Sequence, residues 1–172
     1  TDVKGNVHGR SWSEVVRFCR DADLFLHISA SCWMRDEHCA TRRIAFIDSD
    51  PLYTQAGILG GATPEEIRDR IDWYQQHHHV FFTFGENIGA PDCRIPVGPF
   101  KWVPTRQPIV LDCFAKAAVP VAARRPVLTT VASWEPTEKG PVVDGIAYRG
   151  KSAEFERFLD LPARSALPLE VA

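Results

Sequence analysis

The sequence has no apolar run near the ~20 residues that a membrane-spanning helix needs. Its start, TDVKGNVHGR, lacks the charged-then-apolar layout of a leader peptide. An excess of positive charge is also missing. Lys and Arg number 20 against 22 Asp and Glu, a net charge of -2. That excludes the basic footprint of a nucleic-acid binder and the cationic face of a membrane-surface helix. CxxC pairs are absent, and the five cysteines (Cys19, Cys32, Cys39, Cys93 and Cys113) are odd in number. Cys19 and Cys113 sit in apolar stretches, where a reduced thiol acts as a small hydrophobe. A reducing, cytoplasmic setting is therefore expected. Cys32, His38 and Cys39 lack a second zinc-ligand pair at proper spacing, so no metal site is assigned. P-loop, G-x-S-x-G, H-E-x-x-H and G-x-G-x-x-G signatures do not occur, nor do internal repeats.

What is present is an ordinary globular composition: 172 residues, 45% hydrophobic and 24% charged. This length buries a core without staples and fits a single domain over 1–172. The 13 prolines and five tryptophans predict long structured loops with aromatic linings.

Ser11 to Arg20 predicts a helix, with Ser11 and Glu14 as a capping box and Val15, Phe18 and Cys19 on one face. Thr63-Pro64-Glu65-Glu66 opens a second helix whose core face carries Ile67, Ile71 and Tyr74. Ser152 to Leu159 predicts a third. Between them lie nearly continuous apolar runs, DADLFLHIS, IAFI and VFFTF, of the kind that suits buried parallel strands. VLTTVAS predicts a further strand, and LPLEVA reads as a strand beginning. PIVLDC is open between strand and helix, and Gly89 to Gln107 reads as a long proline-rich loop. His77-His78-His79 reads as a polar turn, and His27 as a satisfied core histidine. Strands alternating with helices predict an α/β fold with a mostly parallel sheet. A first residue other than Met, and a final strand that only begins, are expected of a piece of a longer protein.

Ligands of open parallel sheets bind beyond the carboxyl ends of the strands. The predicted exits carry Ser29 and Ser31, then Asp48-Ser49-Asp50, then Glu86, Asn87 and Gly89, and later Ser133 and Trp134. Small polar groups and carboxylates hydrogen-bond hydroxyls, and an aromatic face covers a sugar ring, so this rim suits a polyhydroxylated ligand. Asp48, Asp50 and Glu86 are the candidate catalytic groups. Ser29, Ser31, Asn87, Gly89, Ser133 and Trp134 are the candidate substrate contacts. Asp48→Asn is expected to weaken a ligand and spare stability.

Asp48-Ser49-Asp50 has further readings. Two carboxylates two residues apart can share a magnesium ion. An apolar strand followed by D-x-D resembles haloacid dehalogenase-like phosphatases, in which the first Asp would be the nucleophile and the second the acid/base. The continuation Pro51-Leu52-Tyr53-Thr54 departs from that pattern. D-x-D also resembles the metal-nucleotide motif of GT-A glycosyltransferases. A plain strand-ending acid that bonds neighbouring N–H groups is the remaining alternative.

The segments DADLFLHISAS, IAFIDSDPLYTQ, VFFTFGENIGAPDCRIP, WVPTRQPIVLD, VLTTVASWE and GKSAEFERFLDLP together span most of 21–162. Their run resembles the N-terminal half of bacterial GT-B type glycosyltransferase-like proteins. That resemblance implies a Rossmann-like three-layer domain, the acceptor-side part of a longer two-domain chain and inactive without the donor-binding domain. It implies transfer of a glycosyl group from a nucleotide-sugar to a hydroxyl of a small-molecule or glycan acceptor. The donor is a co-substrate, and no cofactor or metal is required. Nucleic acid is not an expected partner. The glycine-rich loop that opens GT-B acceptor domains is not at this chain's start, so no base carries over from the family. The runners-up are a magnesium-dependent phosphatase-like hydrolase using Asp48 and Asp50, and a sugar- or nucleotide-binding module without chemistry.

Overall fold

The computed structural model describes residues 8–132, 134, 140–148 and 150–171. They fall into two compact units, which divide between Gln107 and Pro108. No described helix is long and apolar enough to cross a membrane.

The first unit runs α1 (Trp12–Asp21), β1 (Phe25–Ile28), α2 (Asp36–Cys39), β2 (Ile44–Asp48), α3 (Tyr53–Leu59), α4 (Pro64–His77), β3 (Val80–Thr83) and β4 (Trp102–Pro104). The four strands make one parallel sheet in the order β1-β2-β3-β4. The mixed α/β class and the parallel sheet are as the alternating pattern predicts. The order follows the chain, so this sheet contains no position where strand order reverses. In doubly wound sheets that reversal opens the ligand crevice; here the rim has to be shaped by loops and helices.

The ends of the helices obey local chemistry. Ser11 caps α1: its Oγ accepts from the Glu14 N–H at 3.4 Å, and Glu14 Oε2 accepts from the Ser11 N–H at 2.8 Å. Thr63 caps α4 through the Glu66 N–H at 3.2 Å. Glu66 then reaches one residue further back than a capping box requires, to the Ala62 N–H at 2.9 Å. The Arg70 guanidinium donates to the Gly57 and Gly60 carbonyls. This satisfies acceptors that the end of α3 leaves open and ties α3 to α4.

The core is a row across the sheet. His27, Phe46, Phe81 and Trp102 are successive register partners and so share one face. Phe46, fully buried, packs with Ile58, Phe81 and Phe100. Tyr74 of α4 meets the Phe46 ring edge-on, with centroids 5.2 Å apart, a favoured aromatic geometry. The opposite face is also apolar, but it is open at β1, where Leu26 is 50% and Ile28 47% exposed. The burial expected of this strand from its apolar run is therefore confined to one face, where His27 is buried and Phe25 half-buried. On α1, Cys19 is buried while Phe18 is 70% exposed.

Two elements differ from the sequence reading. The Pro-rich stretch contains β4, a three-residue strand at the sheet edge, where a terminal proline is tolerated. Residues after the Asp48 turn form α3, which has no side-chain cap and follows Leu52 at φ 78°.

The second unit holds α5 (Leu111–Ala117), a 3₁₀ turn at Val121–Ala123, β5 (Leu128–Thr130), β6 (Val142–Val143) and β7 (Ile146–Ala147). It continues with α6 (Lys151–Phe155), a 3₁₀ turn at Glu156–Phe158, α7 (Leu161–Arg164) and β8 (Leu169–Val171). PIVLDC thus resolves into the start of a helix. VLTTVAS and LPLEVA become β5 and β8, which pair in parallel. β6 and β7 form a hairpin through Asp144 and Gly145, at φ 50° and 77°. Asp-Gly with both residues left-handed is the turn that suits strand twist.

Ser11→Ala removes the α1 cap and is expected to cost about 1 kcal/mol of stability, read as a lower midpoint in denaturant unfolding.

Candidate functional site: a groove beyond β1 and β2

β1 exits through Ser29 and Ala30, both left-handed at φ 52° and 51°. Consecutive non-glycine residues in that region are costly and occur where surrounding structure holds them. The Ser29 and Ser49 hydroxyls hydrogen-bond across the two exits. The loop that follows runs beside α4. Between them lies an open groove of about 840 Å³, lined by Ala30, Ser31, Cys32 and Trp33 on one side. Glu66, Asp69, Arg70, Trp73 and Tyr74 line the other. A hollow of about 370 Å³ shares Ala30 and Tyr74 with it and adds Ser29, Asp50, Tyr53 and Thr54.

This arrangement gathers Ser29, Ser31 and Asp50 from the sequence-level candidates. It adds a wall that the sequence reading did not name. Glu66, Asp69, Arg70 and Trp73 recur at i, i+3, i+4 and i+7, a single stripe of α4 beside the core stripe of Ile67, Ile71 and Tyr74. That periodicity was the available signal. Trp33 stands 87% exposed, so its ring is free to cover a ligand. Asp50 and Asp69 make no side-chain hydrogen bond or ion pair among the described residues, so their carboxylates are open to a guest. Arg70 is already engaged with the end of α3.

Asp48 has a different role from the one expected. It is fully buried and both carboxylate oxygens are occupied. Oδ1 accepts from the Asp50 N–H at 3.0 Å. Oδ2 accepts from Gln55 Nε2 at 2.8 Å and Thr83 Oγ1 at 2.7 Å. Gln55 in turn accepts the Leu52 N–H at 2.7 Å, and Thr83 the Gly85 N–H at 3.0 Å. This network joins the ends of β2 and β3 to the start of α3. A nucleophile needs an approach path, and a shared cation needs free oxygens from both acids. Asp48 supplies neither, which corrects its reading as a catalytic group or magnesium ligand. Among the described residues no group of three or more His, Cys, Asp or Glu is placed to hold a metal ion.

The other candidates lie elsewhere. Glu86 pairs with Arg106, both exposed, and borders a separate hollow with Pro104 and Thr105. Asn87 donates to Asp92 Oδ1 at 3.2 Å, and Gly89 adopts φ 86°, a backbone need rather than a contact. Trp134 belongs to the second unit. Its ring lies 5.2 Å from that of Phe155 and its carbonyl accepts the Ser152 N–H. Ser133 lies outside the described residues. His38, weighed as a zinc ligand, stacks on Phe25 at 5.0 Å. His78 is buried rather than part of a polar turn, and it pairs with His27, which is the core histidine expected.

Neither protein-family models, nor curated proteins, nor solved structures yield a match to this chain.

Asp48→Asn places an amide against the Gln55 donor inside the network. The expected cost is about 2 kcal/mol, a clear loss of melting temperature, with ligand affinity at the groove retained in the folded fraction. An unchanged melting temperature would contradict this structural role.

Proposed function

We propose that the first unit holds a carbohydrate acceptor in the groove between the β1–α2 loop and α4. It would act as the acceptor-side part of a glycosyltransferase that takes a nucleotide-sugar as donor. The observation that carries this reading is an exposed tryptophan face, Trp33, and an unengaged carboxylate, Asp69, in the groove, with a second unengaged carboxylate, Asp50, in the hollow that shares Ala30 and Tyr74 with it. A sugar presents an apolar ring face to the tryptophan and hydroxyls to the carboxylates. Carboxylates are strong acceptors for such hydroxyls.

Asp50 is the base in this proposal. It takes the proton of the acceptor hydroxyl as that oxygen bonds the anomeric carbon. The donor's bond to its phosphate oxygen breaks, and the leaving nucleotide keeps the electron pair. Ser29 and Ser31, at the same rim, orient the acceptor. The Rossmann-like three-layer form belongs to the same proposal. An apolar, half-open sheet face at Leu26 and Ile28 has the character of one that a further layer covers. Five free cysteines agree with a reducing, cytoplasmic setting. The phosphatase reading draws no support from a buried, fully bonded Asp48.

The test is titration of the chain with neutral mono- and oligosaccharides, read by tryptophan fluorescence and amide NMR shifts. Trp33→Ala is expected to weaken binding about tenfold, or ~1.4 kcal/mol, with melting temperature unchanged because the ring is exposed. Asp50→Asn is expected to weaken binding less than Trp33→Ala and, in a chain joined to its donor-binding domain, to abolish transfer from a nucleotide-sugar. Glu86→Gln is expected to change neither. Saccharide binding with no transfer even when a donor-binding domain is supplied leaves a sugar-binding module. A chain that binds no saccharide overturns the proposal.

A further inference from the structure

Beneath the groove lie two buried imidazoles that the proposed reaction does not use. His27 comes from β1, and His78 directly follows α4. His27 Nε2 is 3.0 Å from the Cys32 carbonyl oxygen. His27 Nδ1 is 2.8 Å from His78 Nε2. His78 Nδ1 is 2.8 Å from the Tyr74 carbonyl oxygen. The ring planes differ by only 12°. Cys32 and Tyr74 both line the groove, so this relay runs under it from one wall to the other.

Each of the three contacts needs one proton, because a carbonyl cannot donate and two bare nitrogens at 2.8 Å repel. Two neutral imidazoles carry two protons between them. The neutral pair therefore always leaves one contact without a hydrogen. Three protons, a net charge of +1, complete all three. A fourth would set two N–H groups against each other.

We infer that His27 and His78 form a single-proton latch: they take up one proton in common on acidification, and it fastens the Cys32 wall of the groove to α4. The inference rests on this geometry and is independent of the function proposed above.

The surroundings set when the latch loads. The rings of Phe46, Trp73, Tyr74 and Phe81 pack around the pair. The titratable side chains that act on it are other histidines, namely His38 of α2, His77 of α4 and His79. Burial is the largest influence and disfavours charge. It lowers His27 and pushes His78 from 6.5 down to about 4, against the pull of the two carbonyls. Loading thus falls below the ordinary histidine range. Unfolded, both rings protonate near 6.5. As pH falls from there towards about 4, the unfolded chain binds more protons and stability declines. One shared proton halves that deficit relative to a pair that stays neutral.

Imidazole ¹⁵N shifts of the wild-type chain, followed from pH 8 to pH 4, test this directly. The expected result is one transition below pH 6.5 in which both rings move together and one proton is bound. Amide protection at Cys32 to Arg35, corrected for intrinsic exchange, should rise about fivefold through it, the worth of one net hydrogen bond. Two separate full titrations, no uptake before unfolding, or uptake without added protection would each overturn the latch. In folded His78→Gln the protection gain should vanish, and its persistence would also overturn it. Should that variant not fold, the wild-type titration decides alone.

Discussion

The groove depends on a carboxylate that never reaches it. Asp48 holds the end of β2, the start of α3 and the end of β3 in one hydrogen-bonded knot. A buried carboxylate is tolerable only when both of its oxygens have donors. Here the donors come from three separate segments. Satisfying Asp48 therefore fixes where α3 begins and which way Asp50 points. The next acid along the chain is free because the first is fully engaged.

Helix α4 serves two masters. One stripe packs Ile71 and Tyr74 on the core of Phe46, Ile58, Phe81 and Phe100. The neighbouring stripe, Glu66 to Trp73, forms a groove wall. Tyr74 belongs to both, through its ring in the core and its carbonyl at the histidine pair. Core packing and groove geometry are thereby coupled within a single helix. The strained exit at Ser29 and Ala30 supplies the facing wall, and a sheet whose strand order never reverses needs such a wall to make a crevice.

Much of the fold was legible because it follows local chemistry. Ser11 with Glu14, and Thr63 with Pro64, marked two helix starts correctly. The apolar runs DADLFLHIS, IAFI and VFFTF marked β1, β2 and β3. The rest depended on contacts that sequence does not display. Strand β4 is only three residues long and exists because β3 offers an edge. Helix α3 starts at a strained, uncapped Leu52 held by Gln55. The Asp144-Gly145 turn is a hairpin signal readable in the sequence. At the site, polarity at a strand exit could not tell Asp48 from Asp50. Their difference is burial, which Gln55 and Thr83 create from afar. Adjacent histidines likewise gave no hint that one of three would turn inward to meet His27.

The second unit is fastened by its most distant parts. β5 has no partner until β8 arrives, since the two pair in parallel with residues 131–168 between them. During synthesis, Leu128–Thr130 leaves the ribosome with its edges unmatched and stays so until Leu169–Val171 is made. A nascent chain halted anywhere in that interval would present a short sticky edge to its neighbours. The hairpin at Val142–Ala147, which closes on itself, is the piece of this unit able to form while the strand waits.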